Sequence, residues 1–475
     1  MALLENIIGE VNEVLWSYIL IVVLIGLGLW FTIRTGFVQF RYFPEMIRVL
    51  FDKRTLSASG KKGTSAFQAF AISAASRVGT GNMAGVATAI ASGGPGAVFW
   101  MWLIALLGAA SGFVESTLAQ VYKVPEKNQY RGGPAYYMEK GLKNRKLAVA
   151  FAVIITITYG LVFNSVQSNT ISLAFSEQYD LNKGLLAGIL FVFTAIVIFG
   201  GIKSIANVSQ VIVPVMAILY IFISIYILLT NFTAIPDMIS IIFTNAFGIR
   251  EVAGGGFGAA IMMGIKRGLF SNEAGMGSVP NAAATAEVTH PAKQGFIQAF
   301  GVFVDTILIC SATGFILITA GGYEGKGDLD GIQLTQDAFA FHIGDWASTF
   351  IAIAILLFGY SSILGNYYYG ESNIAYIKNS RLVMFLYRAA VLLMVVFGAV
   401  AAFDLVWSMA DLAMAVMALI NLYAITRLFK IANRVLQDYI TQRKAGKDPV
   451  FYRDTLEDED GIVFWGRDQS SDKEK

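Results

Sequence analysis

Arg77-Val-Gly-Thr-Gly-Asn82-Met-Ala-Gly85 returns 190 residues later as Arg267-Gly-Leu-Phe-Ser-Asn272-Glu-Ala-Gly275, with arginine, asparagine, alanine and glycine at the same places. The same offset, without a gap, lays Phe113-Val114-Glu115 on Phe303-Val304-Asp305 in the next apolar run of each half. Two matches in one register make an internal repeat. The apolar run that holds Asn272 is the fifth after the run that holds Asn82, an odd step, so the two halves cross a bilayer in opposite senses. Inverted repeats of this kind can exchange conformations and open one central site alternately to either side.

Composition places those runs in a membrane. Of 475 residues, 56% are hydrophobic and 14% charged, and the mean hydropathy is +0.61, well above what a soluble core requires. Crossing the hydrocarbon takes roughly 20 apolar residues, and about eleven stretches reach that length, several broken by Gly or polar residues. The chain reads as an all-α polytopic membrane protein. A net charge of +2 suggests no nucleic-acid partner. Cys310 is alone, which rules out an intramolecular disulfide framework. Glu5, Glu10 and Glu13 stand where a cleavable signal would be basic, so the first span is expected to be retained.

The spans are expected near 15–33, 67–91, 97–121, 148–175, 185–199, 208–229, 257–284, 295–320, 346–377, 383–402 and 405–429. Arg34, Arg41, Arg48, Lys53, Arg54, Lys61 and Lys62 follow the first, and Lys123, Lys127, Arg131, Lys140, Lys143, Arg145 and Lys146 follow the third. Arg427, Lys430, Arg434, Arg443, Lys444 and Lys447 accompany the end of the last. Basic loops stay inside, so eleven crossings put the N-terminus outside and the C-terminus in the cytoplasm. The mostly acidic loop 321–345 then falls outside. Phe40 to Phe51 spaces Tyr42, Phe43, Met46, Ile47 and Leu50 as an interfacial amphipathic helix or a plain cytoplasmic loop. The expected organisation is an N-terminal helix and amphipathic segment (1–63), a first five-helix repeat (64–230), an extracellular connection (231–256), an inverted second repeat (257–430) and a cytoplasmic tail (431–475).

Both repeated segments are where a helix should fail. Gly79, Gly81 and Gly85, and in the second half Gly268, Gly275 and Gly277 with Pro280, lower helix propensity at mid-membrane depth. Unwound backbone is tolerated there only when buried in protein or facing an aqueous cavity. Its free amides can bind a carboxylate and its free carbonyls a cation. The bland alternative is glycine serving close helix packing.

These residues resemble a known family. Gly79-Thr-Gly-Asn-Met-Ala-Gly-Val-Ala-Thr-Ala-Ile90, Gly93-Gly-Pro-Gly-Ala-Val-Phe-Trp-Met-Trp102, Arg131-Gly-Gly-Pro-Ala-Tyr-Tyr-Met138 and Phe270-Ser-Asn-Glu-Ala-Gly-Met-Gly-Ser278 are similar to the alanine or glycine:cation symporters. The likeness covers nearly the whole chain, including Val166-Gln-Ser-Asn169. It implies a prokaryotic plasma-membrane carrier with a LeuT-type fold of ten core helices plus one, in which 67–91 is the first core helix and 257–284 the sixth. It also implies sodium as coupling ion for uptake of alanine or glycine, some members being glutamine carriers.

Candidate site residues follow. Backbone amides at Thr80 and Gly81 suit the substrate carboxylate, because glycine allows close approach. Asn82 can offer its carbonyl oxygen to sodium, a hard ion, while its amide pins the loop; Asn272 can do the same or satisfy broken backbone. Gln167, in an apolar span three residues after Asn164, can orient an ammonium or carboxylate without burying a charge. Phe270, Ser271 and Met276 enter as lining through their place in the motif. The resemblance to LeuT-type carriers adds Ser361 and Ser362, which with carbonyls of Ala75 and Val78 would hold sodium. Arg77, Glu115, Arg267, Glu273 and Asp305 lie at membrane depth, where charges are paired or solvated, and are expected to form gate or scaffold ion pairs of arginine with acid. Proton coupling stays open through one of the acids. His290 and His342 are placed in loops and offer no intramembrane relay.

Other classes fit less well. A non-transporting amino-acid sensor would want a soluble signalling domain, and a channel a filter. An enzyme would want a metal-ligand cluster, a nucleophile motif or a phosphate loop, and the sequence has none. No cofactor is expected.

Overall fold

The computed structural model describes residues 2–52, 63–126, 129–200, 202–248, 256–321 and 331–467. Lys53, Arg54, Lys61, Lys62, Lys127 and residues 249–255 and 322–330, on which parts of the loop assignments rest, lie outside the described residues.

The architecture is helical. In chain order the principal helices are α1 (Asn6–Arg34), α2 (Phe43–Leu50), α3 (Ala66–Arg77), α4 (Val86–Gly93), α5 (Ala97–Val121), α6 (Arg145–Tyr179), α7 (Lys183–Phe199), α8 (Ile202–Thr230), α9 (Ile235–Ala246), α10 (Phe257–Asn272) and α11 (Val279–Ala283). They continue with α12 (Pro291–Ala320), α13 (Gly331–Ile343), α14 (Trp346–Ile377), α15 (Arg381–Val400), α16 (Phe403–Arg427) and α17 (Phe429–Lys444). A two-stranded antiparallel hairpin, β1 (Val124–Glu126) with β2 (Gln129–Arg131), follows α5. Among the described residues seven helices are long and apolar enough to span a membrane by themselves; the pair Pro214–Thr230 and Phe232–Ala246, bent by 76°, counts as an eighth only when taken as one broken span. Helix α7 is apolar but shorter. The segments 66–93 and 257–283 reach spanning length only across an interruption.

Local chemistry sets the helix starts. Ser65 and Gln68 form a reciprocal capping box before α3, at 3.0 and 3.1 Å, satisfying two amides the helix cannot. Asn182 caps α7 and Ser380 caps α15 through their side-chain oxygens. Pro236, Pro280 and Pro291 stand in the first turns of α9, α11 and α12, where no intrahelical amide is required of them.

The connections hold more structure than the sequence reading gave them, and the loop placement of His342 is corrected. The connection 231–256 contains helix α9, an apolar stretch too short to span that turns back against α5, with Trp100 Nε1 donating to the Ala246 carbonyl at 3.1 Å. The acidic loop contains helix α13, so His342 sits in a last helical turn and not in a loop. His290 stays outside the helix, in the turn that caps α12, and is wholly buried. Helix α2 is amphipathic as read, yet its inner face is covered by protein. Met46, Val49 and Leu50 are buried, and Phe43 packs on Phe300 and Phe303.

Helix α5 forms the inner spine. Its second half is buried almost continuously from Gly108 to Val121, and α10 and α12 lie against it. Close approach needs glycine: a Cβ at Gly264 would meet the Ala97 carbonyl at 2.4 Å, and one at Gly268 the Ile104 side chain at 2.6 Å. Gly268 therefore serves helix packing inside a continuous α10 and not the break, the bland alternative holding at that position.

The tail closes the opposite end. Helix α17 packs on α5 and α12, with Tyr439 and Arg443 meeting Glu45 of α2 at 2.6 and 3.1 Å. Residues beyond it recross the face. Phe451 N–H donates to the Thr289 carbonyl at 3.0 Å, and Trp465 Nε1 to the Gln120 carbonyl at 3.0 Å. Lys123 Nζ lies 4.5 to 4.8 Å from the rings of Tyr130, Phe464 and Trp465.

Candidate functional site

Both repeated segments interrupt their helices, and the interruptions meet. Helix α3 ends at Arg77, Val78 leaves helical dihedrals (φ −79°, ψ 94°), and the chain resumes in a wide π turn at Gly81–Gly85. Asn82 repairs the gap: its Oδ1 accepts from Gly79 N–H at 2.9 Å. Thr80 N–H reaches across to Gln167 Oε1 at 3.3 Å, while the buried Thr80 hydroxyl has no hydrogen-bond partner among the described residues. Gly81 is where the halves touch. A Cβ there would lie 3.1 Å from both the Phe270 ring and Ser271 Cα, an approach a larger residue forbids.

In the second half α10 ends at Asn272, and Glu273 turns left-handed at φ 57°. Gly275 and Gly277 follow at φ 84° and 85°, which favour glycine for want of a Cβ. Asn272 Oδ1 accepts from Ala274 N–H at 3.0 Å, so its oxygen satisfies broken backbone, and its Nδ2 has no partner among the described residues. Met276 is buried within the break, its N–H donating to the Glu273 carbonyl at 3.3 Å.

The two matched acids brace the breaks crosswise. Glu115, on the first half's α5, accepts from Gly275 and Gly277 N–H of the second break, each at 3.1 Å, and from Asn421 Nδ2 at 2.8 Å. Asp305, on the second half's α12, holds the first break by accepting from Asn82 Nδ2 at 2.6 Å. Its other oxygen takes Ser271 and Thr306 hydroxyls at 2.8 Å each. Asn82 Nδ2 also lies 3.0 Å from Ser271 Oγ.

Beside the first break Ser362 Oγ donates to the Ala75 carbonyl at 2.9 Å, and a Cβ on Gly79 would lie 2.3 Å from Ser362 Oγ and 3.1 Å from Gln167 Oε1. Ala75, Ser362, Gln167 and the Gly79–Thr80 peptide thus converge from α3, α14 and α6. Their oxygens are neutral, the donor chemistry a monovalent hard cation accepts. Ser361 donates to the Phe358 carbonyl of its own helix at 2.8 Å. Phe270 closes the other side, its ring 4.7 Å from Phe163 and 4.9 Å from Trp407. Further π turns at Thr156–Phe163 and Phe303–Cys310 flank the same region, wide turns that recur at functional sites.

The expected arginine–acid pairs are corrected. Arg267 does not meet Glu115, Glu273 or Asp305. It forms a two-point ion pair with Asp411 of α16 at 3.0 and 3.1 Å, stacks 4.4 Å from Trp407, and shares Asp411 with Lys266 at 3.4 Å. Arg77 donates Nη1 to the Gln298 carbonyl at 3.1 Å, while among the described residues its Nε and Nη2 have no hydrogen-bond partner. The acids are taken up by amides and hydroxyls of the breaks, nearer acceptors' partners than any guanidinium. Asp411 and Trp407 were missed, although a lone Asp in the apolar run 405–429 itself calls for a buried cation.

Two oppositely broken helices around a buried polar centre, in a bundle of membrane-length helices, define a membrane transporter. The chain belongs to the sodium:alanine symporter family, whose model matches residues 1–453. It is 53% identical over 463 residues to the probable sodium/glutamine symporter GlnT of Bacillus subtilis, covering 98% of this chain and 96% of that one. To the amino-acid carrier protein AlsT of the same organism it is 56% identical over 447 residues, covering 94% of each. The sodium/alanine symporter AgcS of Methanococcus maripaludis is 38% identical, with 89% of this chain and 94% of that one covered. In solved structures the fold is similar to the manganese transporter of Eremococcus coleocola, with a TM-score of 0.50 at 12% identity over 81% of this chain and 80% of that one.

Proposed function

We propose that the chain imports a small neutral amino acid, alanine or glycine, together with sodium by alternating access. The observation that carries the proposal is the contact between breaks, with Gly81 against Phe270 and Ser271 and Asn82 Nδ2 3.0 Å from Ser271 Oγ. Peptide groups freed in both halves surround one small volume, so a solute bound there is released when the halves move apart. The substrate carboxylate takes amides at Thr80 and Gly81, with Gln167, Asn82, Ser271 and Asn272 as polar lining and Phe270 and Met276 as apolar walls. Sodium takes the Ala75 and Val78 carbonyls with Ser361 and Ser362, Asn82 contributing from the other side.

Eleven spans of LeuT type support this cycle: α1, then the broken 66–93, α5, α6, α7 and α8 as one half, and the broken 257–283, α12, α14, α15 and α16 as the other, within the boundaries 64–230 and 257–430. The N-terminus lies outside and the tail 431–475 in the cytoplasm, with the protein in a prokaryotic plasma membrane. The tight aromatic wall of Phe163, Phe270 and Trp407 favours a short side chain. Glutamine is the second reading, favoured by 53% identity to a probable sodium/glutamine symporter.

The test is uptake of labelled alanine, glycine and glutamine into proteoliposomes, first under a sodium gradient and then under a proton gradient at equal sodium. Sodium-driven accumulation of alanine or glycine is expected. Gly79→Ala, whose methyl would collide with Ser362 Oγ and Gln167 Oε1, should lower it at least tenfold in protein that still assembles. Accumulation of none of the three under either gradient sinks the proposal.

A further inference from the structure

Glu273 is buried in the second break, and among the described residues no lysine or arginine nitrogen lies within ion-pair distance of it. Its oxygens meet two hydroxyls: Ser76 Oγ lies 2.7 Å from Oε1 and Ser278 Oγ 2.7 Å from Oε2. Ser76 Oγ is also 2.8 Å from Asn366 Oδ1. A serine hydroxyl carries one hydrogen, so it can donate to Glu273 or to Asn366 but not to both. Donating to Glu273, it accepts from Asn366 when that amide is turned with Nδ2 toward it, which leaves the charge of the Glu273 carboxylate itself without a counter-ion. Among the described residues the buried hydroxyls of Tyr159 and Tyr369 beside them make no close hydrogen bond, Tyr159 facing Ser278 and Glu273 and Tyr369 facing Ser76. The charged groups that act on Glu273 are Arg77 from α3 and Asp305 from α12, and Arg77 donates its hydrogen bond elsewhere, to the Gln298 carbonyl.

We propose that Glu273, Ser76, Ser278 and Asn366 form a second site for a monovalent cation, sodium or proton, next along α14 from the Ser362 pocket. An isolated buried carboxylate is expensive, and one carboxylate with neutral oxygens is a donor set a hard monovalent ion accepts. Placement gives the site a use. Ser362 and Asn366 are one turn apart on one face of α14, and Ala75 and Ser76, which touch them, are adjacent in α3. Tyr369 and Asn373 extend the same face, and Asn373 Nδ2 meets Asn281 Oδ1 at 2.9 Å. With the topology proposed above, this stripe runs from the Ser362 pocket toward the cytoplasm. A cation leaving that pocket inward meets Glu273 first. The direction rests on the symport proposal; the existence of the site does not.

The test counts ions without any amino acid present, so an amino acid's ammonium cannot stand in for the cation. Full-length protein in detergent is titrated with labelled sodium, and a pH-indicator dye reports protons released or taken up. If the site holds sodium, wild type binds one ion per chain more than Glu273→Gln. If it holds a proton, the two bind equal sodium, but wild type exchanges about one proton per chain as sodium binds and Glu273→Gln exchanges none. Equal sodium counts with equal proton exchange would overturn the site, including the case in which Glu273→Gln changes alanine affinity alone. Should Glu273→Gln not assemble, Ser76→Ala and Asn366→Ala, each removing one neutral oxygen, carry the test, with at least tenfold weaker cation binding at this site expected. Wild-type protein that binds cations but drives no uptake would count against the symport proposal and leave this site standing.

Discussion

At the residue scale the molecule depends on where its buried charges find partners. Asp411 is the shared ion-pair partner of Lys266 and Arg267, whose side chains are 11% and 5% exposed. Asp411→Asn would leave both buried without a counter-charge, and breaking such a pair typically costs about 3–5 kcal/mol. A lower thermal unfolding midpoint of the detergent-solubilised protein is expected, and the double change Asp411→Asn with Arg267→Met should recover part of it. An unchanged midpoint in the single variant would show the pair to be idle. Sequence made each charge visible as an oddity in an apolar run but could not match them. Arg267 and Asp411 are 144 residues apart, on helices whose relative rotation is set by packing such as Gly264 against Ala97, which no local pattern encodes. The glycines were legible for a different reason. Positive φ at Gly275 and Gly277 is a local property, so the break was readable from sequence where the ion pair was not.

At the element scale, long apolar runs announced themselves, and short or interrupted helices were recovered only through the repeat. Helix α9 was hidden because it is too short to span and carries Pro236, which reads as loop from sequence but is comfortable in a first helical turn. Helix α13 was hidden by an acidic surrounding. The seat of α17 on α12 was also unforeseen, and it titrates. His290 is enclosed, its Nδ1 accepting from Ala292 N–H at 3.2 Å and its Nε2 3.1 Å from Asp438, an arrangement that suits the neutral ring with its proton on Nε2. Burial holds its proton affinity below the usual 6.5, the Asp438 hydrogen bond offsetting only part of that. The unfolded chain therefore takes up the proton first as pH falls. Stability from this group is complete above about pH 6.5 and is lost on descending through the lowered folded value. The thermal midpoint should fall by roughly 2 °C more in wild type than in His290→Gln between pH 7.5 and 5; parallel pH profiles would remove His290 as the cause.

For the whole molecule, the crossed bracing ties the halves together. Each half supplies the acid that holds the other's interruption, Glu115 to Gly275 and Gly277, Asp305 to Asn82. Hydrogen exchange should report this directly. Glu115→Ala is expected to speed exchange about tenfold or more across 273–278 while sparing 79–82, and Asp305→Ala to do the reverse. Faster exchange confined to the variant's own half would dismiss mutual bracing. The sequence offered Glu115 and Asp305 as equivalent positions of a repeat, but it gave no way to know that equivalence would be expressed as exchange of partners.

The aromatic enclosure of Lys123 bears on how the protein is made. Tyr130 is translated only a few residues after the lysine, but Phe464 and Trp465 come more than three hundred residues later, and so does the indole that takes the Gln120 carbonyl. Until those later residues are made, the ammonium has Gln120 Oε1 at 2.8 Å and then the Ala286 carbonyl at 2.9 Å, but two of its three rings and the partner of the Gln120 carbonyl are missing. This face is completed only after the segment around Phe464 and Trp465 is made, and a chain that stops before it leaves the inner end of α5 uncovered where quality control can reach it.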